Sequence, residues 1–170
     1  MSRPVSEQDR GGVITIMPIA STDAELVAGI LAASEVKPAW AARDIATFIQ
    51  QPGVHGFVAS YDDYPAGVLL YRLILPEAEI LTLGVAREFQ RRGVAAALMA
   101  KLHVKIKAAG GEKVFLEVAV NNKAAEELYK NLGYISISTR NNYYRVGDYF
   151  INAEVFCKNL IKKRVKKASH

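Results

Sequence analysis

The sequence predicts a mixed α/β domain (α+β in its ordering): a central twisted sheet of about seven strands with about four helices divided between its two faces. Three observations predict it. Short β-branched runs and runs of helical period alternate along most of the chain. Three strand signatures follow one another directly before that alternation begins, which makes the sheet mixed rather than purely parallel. At 170 residues, 51% of them hydrophobic and 23% charged, the chain is one domain's worth and large enough to bury most of its apolar surface in a single core.

The elements follow in order. VITIMPI (13–19) is short and β-branched, a strand. Ser21, Thr22 and Asp23 offer N-cap oxygens, and Leu26, Ile30 and Leu31 recur at helical spacing to about Ala33. Pro38 and Trp40 open a second helix with Ile45, Phe48 and Ile49 on one side, closed by Gln51-Pro52-Gly53. Strands are expected at 55–60, 66–73 and 79–85, separated by the turn YDDYP and a tight return at Leu75-Pro76-Glu77. From Gly93 to about Ala109 apolar residues recur every four positions (Val94, Leu98, Leu102, Ile106), and Gly110-Gly111 ends the helix. VFLEVAV (114–120) is a strand. Asn121 or Asn122 then caps a helix whose inner side is Ala125, Leu128 and Leu132, stopped by Gly133. The last strands are YISIST (134–139) and a stretch near 149–156.

Residues 1–12 read as a disordered polar lead-in, 13–160 as the folded domain, and 161–170 as a basic tail. The net charge of +5 owes much to that tail. It is either a solvated end or a contact for an anionic surface such as RNA, the ribosome or a membrane leaflet. No run approaches the roughly 18 apolar residues of a membrane span. Cys157 is the single cysteine and the three histidines are scattered, so neither a disulfide framework nor a metal centre is expected. A reducing, cytoplasmic setting is the expectation.

The stretch QRRGVAAALM (90–99) places two arginines and a glycine between a strand and the first turn of a helix. Unpaired N–H groups and the positive end of the helix dipole make that turn an anion site, and a glycine lets a phosphate oxygen approach the backbone. An exposed structural turn would carry the same residues.

Residues 79–99, EILTLGVAREFQRRGVAAALM, resemble the cofactor segment of the GNAT superfamily of N-acetyltransferases, with Gln90-Arg91-Arg92-Gly93-Val94-Ala95 in the place of its Q/R-x-x-G-x-G/A loop. LEVAVNNKAAEELYKNLGY (116–134) resembles a second block of that family, L-E-V-x-x-x-N-x-x-A-x-x-L-Y-x-x-x-G-F/Y. TRNNYYRVGDYF (139–150) is similar to the Tyr-Tyr region of its protein N-terminal acetyltransferases, both the bacterial and archaeal ribosomal-protein type and the eukaryotic NatE and NatF type. The resemblance implies acetyl-CoA as co-substrate and a protein or peptide N-terminus as acceptor. It implies that Leu83, Gly84 and Val85 meet the pantetheine arm and that residues 90–95 hold the pyrophosphate. Asn122 contacts the cofactor arm, with helix capping as its competing job. Tyr143 and Tyr144 would hold the acceptor backbone from a loop between the last two strands. Pro38 and Trp40 would line the peptide groove, where NatE and NatF enzymes carry a Phe-Pro pair instead.

Acetyl transfer needs a neutral amine, donors for the developing oxyanion and a proton for the departing thiolate. Glu117 lies in an apolar strand, where a carboxylate is costly unless paired, hydrated or protonated, and partial burial would suit it to act as a general base. The resemblance to the bacterial enzymes assigns it that role; a structural bridge to a neighbouring strand is its alternative. Glu79 aligns with a tyrosine of the NatE and NatF types and is a second candidate base, or simply an exposed residue after a turn. Tyr129 matches the Tyr of the family's L-Y pair, the general acid toward the CoA sulfur. Ala125, one turn earlier, is small enough to leave room for the cofactor. The backbone N–H groups around Leu83 would meet the oxyanion. Two other readings stay open: acetylation of a small amine or a lysine side chain, and a non-catalytic acetyl-CoA-binding accessory subunit.

Overall fold

The computed structural model describes residues 11–36 and 40–161. Pro38, most of the expected lead-in and all but the first residue of the expected tail lie outside the described residues.

Seven strands and four α-helices are described: β1 (Ile14–Pro18), α1 (Ala24–Ala33), α2 (Ala42–Phe48), β2 (Val54–Tyr61), β3 (Tyr64–Ile74), β4 (Glu77–Val85), α3 (Val94–Ala108), β5 (Lys113–Ala119), α4 (Lys123–Asn131), β6 (Ile135–Val146) and β7 (Tyr149–Asn159). The strands form one mixed sheet in the order β1-β2-β3-β4-β5-β7-β6. Only the β4–β5 pair is parallel. A parallel pair needs a crossover, and α3 supplies it.

Local chemistry accounts for the connections. Asp62 and Asp63 both take positive φ (48° and 68°), so the expected five-residue turn is a two-residue hairpin between Tyr61 and Tyr64. Aspartate tolerates that conformation better than most residues, and its handedness suits the strand twist. The second helix starts at Ala42 rather than at Trp40; Ala41 is extended, and Trp40 packs on Phe48 with ring centroids 5.2 Å apart.

Each face of the sheet carries its own core. On one, α1 and α2 press Val27, Ile30, Leu31 and Ile45 against Val58, Val68 and Leu70. On the other, α3 buries Val94, Leu98, Met99, Leu102 and Ile106 against Leu69, Tyr71, Ala78, Ile80, Leu116 and Val118. Each such aliphatic side chain contributes on the order of 1.5–3 kcal/mol when fully buried. Tyr129 of α4, Tyr134 and Phe156 close the same core.

The sheet parts in the middle. β4 and β5 pair only at Glu77–Lys113, Ala78–Val114 and Glu79–Phe115. Opposite β3, the register slips so that Tyr71 meets Ile80 and Leu70 meets Thr82, leaving Leu81 as an extra residue. An inserted residue bends its strand and sharpens its twist. The bulge therefore sits where β4 leaves β5, and the far half of β4 has no ladder on its β5 side.

Among the described residues no helix is long and apolar enough to cross a membrane, and no group of three or more His, Cys, Asp or Glu could hold a metal.

Candidate active site

Strand alternation decides which side chains meet at the split. In β5, Val114, Leu116 and Val118 belong to the α3/α4 core, so Glu117 points to the opposite face. In β4, Ala78 and Ile80 belong to that core and Glu79 points away from it. Both carboxylates line one cavity of about 410 Å³, together with Phe115, Val155 and Arg140 and, toward the β3–β4 turn, Ile74 and Glu77.

Glu117 does not stand alone in its apolar strand. Its side chain is 12% exposed, and Oε1 lies 2.9 Å from Arg140 Nε. Arg140 comes from β6 and reaches past β7, the strand paired with β5. The same guanidinium sits 5.5 Å from the centre of the Tyr143 ring. A hydrogen bond to the Glu117 carboxylate, helped by partial burial and the nearby negative charge, pushes the Tyr143 hydroxyl up to about 12. Arg140 was not singled out in the sequence. Its partner is two strands away, and no spacing rule links them.

The tyrosine pair is not on a loop. β6 runs on to Val146, and Tyr143 and Tyr144 lie within it. The register explains how they still project. Arg140 pairs with Ala153 and Tyr144 with Ile151, so residues 141–143 stand opposite Asn152 alone. Asn142 takes φ 54°, and its N–H donates to Asn152 Oδ1 at 2.9 Å, which pins the bulge. The two rings meet edge to face, centroids 4.9 Å apart. Burial first, and the Glu117 charge second, raise the proton affinity of Tyr144.

Tyr129 stands behind the split. It is buried in the α3/α4 core, edge-on to Tyr134 at 5.9 Å and tilted on Phe156 at 6.4 Å. Burial, then the neighbouring Tyr144, holds its hydroxyl far above the ordinary phenol range. Ala125, one turn earlier on α4, is partly buried against the same core.

The turn before α3 has the features an anion needs. Gly93 is the N-cap at φ 83°, a conformation that suits glycine, and a Cβ there would meet nothing within 4 Å. No side chain caps the helix, so the N–H groups of Val94, Ala95 and Ala96 remain free for a ligand. Gln90 Nε2 donates to Val85 O at 3.1 Å and ties the turn to the end of β4. Arg91 takes φ 59°. Arg92 lies over the rings of Tyr61 and Phe89, at 5.2 and 5.9 Å. The far half of β4 adds free backbone groups, with Leu83 and Val85 packed on the α3/α4 core. Gly84 also has a packing reason: a Cβ would fall 2.6 Å from Ser34 Oγ and 2.9 Å from Leu31 Cδ2, so only glycine lets the end of α1 rest on β4. Asn122, not Asn121, caps α4 by accepting from the Ala125 N–H at 3.2 Å. The cap uses Oδ1, and the two amide protons are what Asn122 can offer a ligand. These donors fit a pyrophosphate followed by an amide-containing arm.

Trp40 is partly buried against the α1/α2 core and lies on the same face as Glu79 and Glu117. Tyr129 and the anion turn lie on the opposite face of the sheet, that of the α3/α4 core.

Comparison with known proteins gives the family and the fold. The model of the acetyltransferase (GNAT) family matches residues 19–134. The [ribosomal protein bS18]-alanine N-acetyltransferase of Salmonella typhimurium is 35% identical over 83 residues, 49% of this chain and 56% of that protein. The N-alpha-acetyltransferase RimI of Mycobacterium tuberculosis is 39% identical over 70 residues, 41% of this chain and 42% of that protein. The chain thus spans about half the length of the curated relatives it matches. Among solved structures, the ribosomal-protein-S18-alanine N-acetyltransferase from Escherichia coli superposes with TM-score 0.81 and 25% identity, over 91% of this chain and 98% of that one. Arabidopsis thaliana NAA60 in complex with acetyl-CoA shares the fold, with TM-score 0.76 at 19% identity over 86% of this chain and 98% of that one.

Proposed function

The chain belongs to the acetyltransferase (GNAT) family, and from that premise we propose that it transfers the acetyl group of acetyl-CoA to the free α-amino group of a protein or peptide N-terminus. The observation that carries this reading is the placement of two carboxylates, Glu79 and Glu117, on one face of the β4–β5 split, with Tyr129 and the Gly93 turn on the other. The relatives named as N-alpha-acetyltransferases support it.

Acetyl-CoA supplies an activated thioester. The backbone N–H groups of Val94, Ala95 and Ala96, with Gln90, Arg91, Arg92 and Gly93, are assigned to its pyrophosphate. Leu83, Gly84, Val85, Asn122 and Ala125 are assigned to its arm. Tyr143, Tyr144 and Trp40 hold the acceptor's first residues, and Pro38 joins them by its place in the chain. An α-amine has a pKa near 7.7–8.0, so removing its proton asks little of a carboxylate acting through water. Glu117 or Glu79 takes that proton as the nitrogen–carbon bond forms. The N–H groups near Leu83 receive the developing oxyanion. As the carbon–sulfur bond breaks, the Tyr129 O–H donates to sulfur. A phenol held above its usual range keeps its proton at neutral pH and serves as a hydrogen-bond donor, with the final proton supplied from solvent. Work in the cytoplasm and contact of the basic tail with the ribosome, RNA or a membrane surface belong to the same reading.

The experiment is acetyl transfer from acetyl-CoA to peptides with different free N-termini, each beside an N-blocked, lysine-containing control. Transfer to free N-termini alone is expected. Transfer to the blocked peptides moves the activity to lysine side chains. Acetyl-CoA binding without transfer to any peptide points to a small amine or to an accessory subunit.

A further inference from the structure

Beside Tyr129 stands a polar pair that the proposed chemistry does not use, one member partly exposed and one buried. His103 lies in the middle of α3, and its Nε2 is 2.8 Å from Tyr134 Oη. Tyr134 is 2% exposed. A leucine and a phenylalanine would fill these places with no hydrogen bond to satisfy, and a partly buried polar pair stabilises a fold only when its geometry is kept.

That geometry is transmitted to Tyr129 in two ways. The Tyr134 ring meets the Tyr129 ring edge-on at 5.9 Å. The Tyr134 N–H donates to the Tyr129 carbonyl at 3.0 Å. Phe156 packs on Tyr129 as well, at 6.4 Å. Lys158 completes the frame: its ammonium lies 5.9 Å from the centre of the Tyr134 ring and donates to Leu132 O. Tyr129 is therefore held by Tyr134, and Tyr134 is anchored to α3 by His103.

We propose that His103 is a positioning residue for Tyr129, acting through Tyr134 so that the Tyr129 hydroxyl stays within reach of the thioester sulfur. The proposal rests on the role assigned to Tyr129 above. A donor has to lie about 2.6–3.2 Å from the atom it serves, and a misplacement of about 1 Å can cost on the order of a hundredfold in rate. The same helix carries the anion turn at its N-terminus, so His103 registers the donor against the element assigned to the cofactor's phosphates. Burial, with Lys158 and Lys107 nearby, lowers His103 to about 4, so its ring is neutral at working pH and can accept the Tyr134 proton.

The test is kinetic. His103→Phe and Tyr134→Phe are made in the wild-type chain and again with Tyr129→Phe, and transfer to an accepted peptide is measured. Each is expected to lower kcat by about tenfold, with KM for acetyl-CoA within about twofold. His103→Gln, which keeps a hydrogen-bonding group, is expected to restore most of the rate. On the Tyr129→Phe background neither change should cost anything further, because the group being positioned is gone. Equal losses on both backgrounds would mean a structural role only and would overturn the proposal, as would an unchanged kcat in the wild-type background. Should His103→Phe fail to fold, Tyr134→Phe removes only one oxygen and decides the matter. A Tyr129→Phe enzyme with full activity would instead remove Tyr129 from the reaction, and this inference with it.

Discussion

Arg140 Nε stands 2.9 Å from Glu117 Oε1, across the strand that separates their own. The arginine is 58% exposed and the glutamate 12%. The pair is thus open on one side and nearly closed on the other. Removing the arginine leaves a carboxylate among β-strand residues without its counter-charge, and removing both leaves nothing to compensate.

A double-mutant cycle should read that asymmetry. Arg140→Met is expected to destabilise the fold by about 1–2 kcal/mol, less than a fully buried pair would cost because the guanidinium is in contact with water. Arg140→Met together with Glu117→Gln should recover roughly 1 kcal/mol of the loss. Urea midpoints of the four proteins at constant slope measure it. Strictly additive changes would mean the two side chains ignore each other in solution.

Glu117 and Glu79 share a cavity, so the base is identified by difference. Glu117→Gln is expected to lower kcat by about a hundredfold and Glu79→Gln by less, since the ion pair and the Tyr143 contact hold Glu117 at the split. Steady-state rates with KM for both substrates check this: the larger loss should fall on kcat, with KM for acetyl-CoA little changed, in the variant that lacks the base.

Gly93 tests the anion turn apart from the chemistry. A Cβ there meets no atom within 4 Å, but φ 83° strains any other residue. Gly93→Ala is therefore expected to cost about 1 kcal/mol through the backbone and to raise KM for acetyl-CoA while leaving KM for the peptide near its original value. Desulfo-CoA affinity by calorimetry separates binding from turnover. An unchanged affinity would move the pyrophosphate away from this turn.

Much of this was legible in the chain, and the exceptions share a cause. The four-residue recurrence of Val94, Leu98, Leu102 and Ile106 predicts the buried side of α3, and all four are buried. In α1 the period alone misleads: Leu26 is 38% exposed and Val27 takes the buried place, because the sheet lies on that side. The bulge at residues 141–143 was illegible, since it is a register slip between two strands rather than a local motif. Arg140 escaped for the same reason. His103 looked like one of three scattered histidines, and only the packing of α3 on the start of β6 gives it a partner. Local pattern reaches what one element does. It does not reach what two elements do to each other.

His103 also makes a prediction about stability and pH. In the unfolded chain it binds its proton near 6.5, but in the fold only near 4, because burial and the ammonium groups of Lys158 on β7 and Lys107 on α3 oppose the charge. Tyr134 faces it with a hydroxyl, which is neutral throughout this range. The unfolded state therefore binds more protons between the two values, and stability must rise with pH there. The contribution is fully present above 6.5 and is lost as pH falls through about 4. The whole shift would correspond to roughly 3 kcal/mol, and partial exposure of the ring reduces it to on the order of 1–2 kcal/mol. His103→Gln has no such proton to bind. Urea unfolding at pH 7.5 and pH 4.5 should show the wild-type chain losing about 1–2 kcal/mol more than the variant, while carboxylates common to both cancel in the difference. Parallel losses would mean that His103 takes its proton as readily in the fold as out of it, and that burial and the two lysines do not oppose its charge.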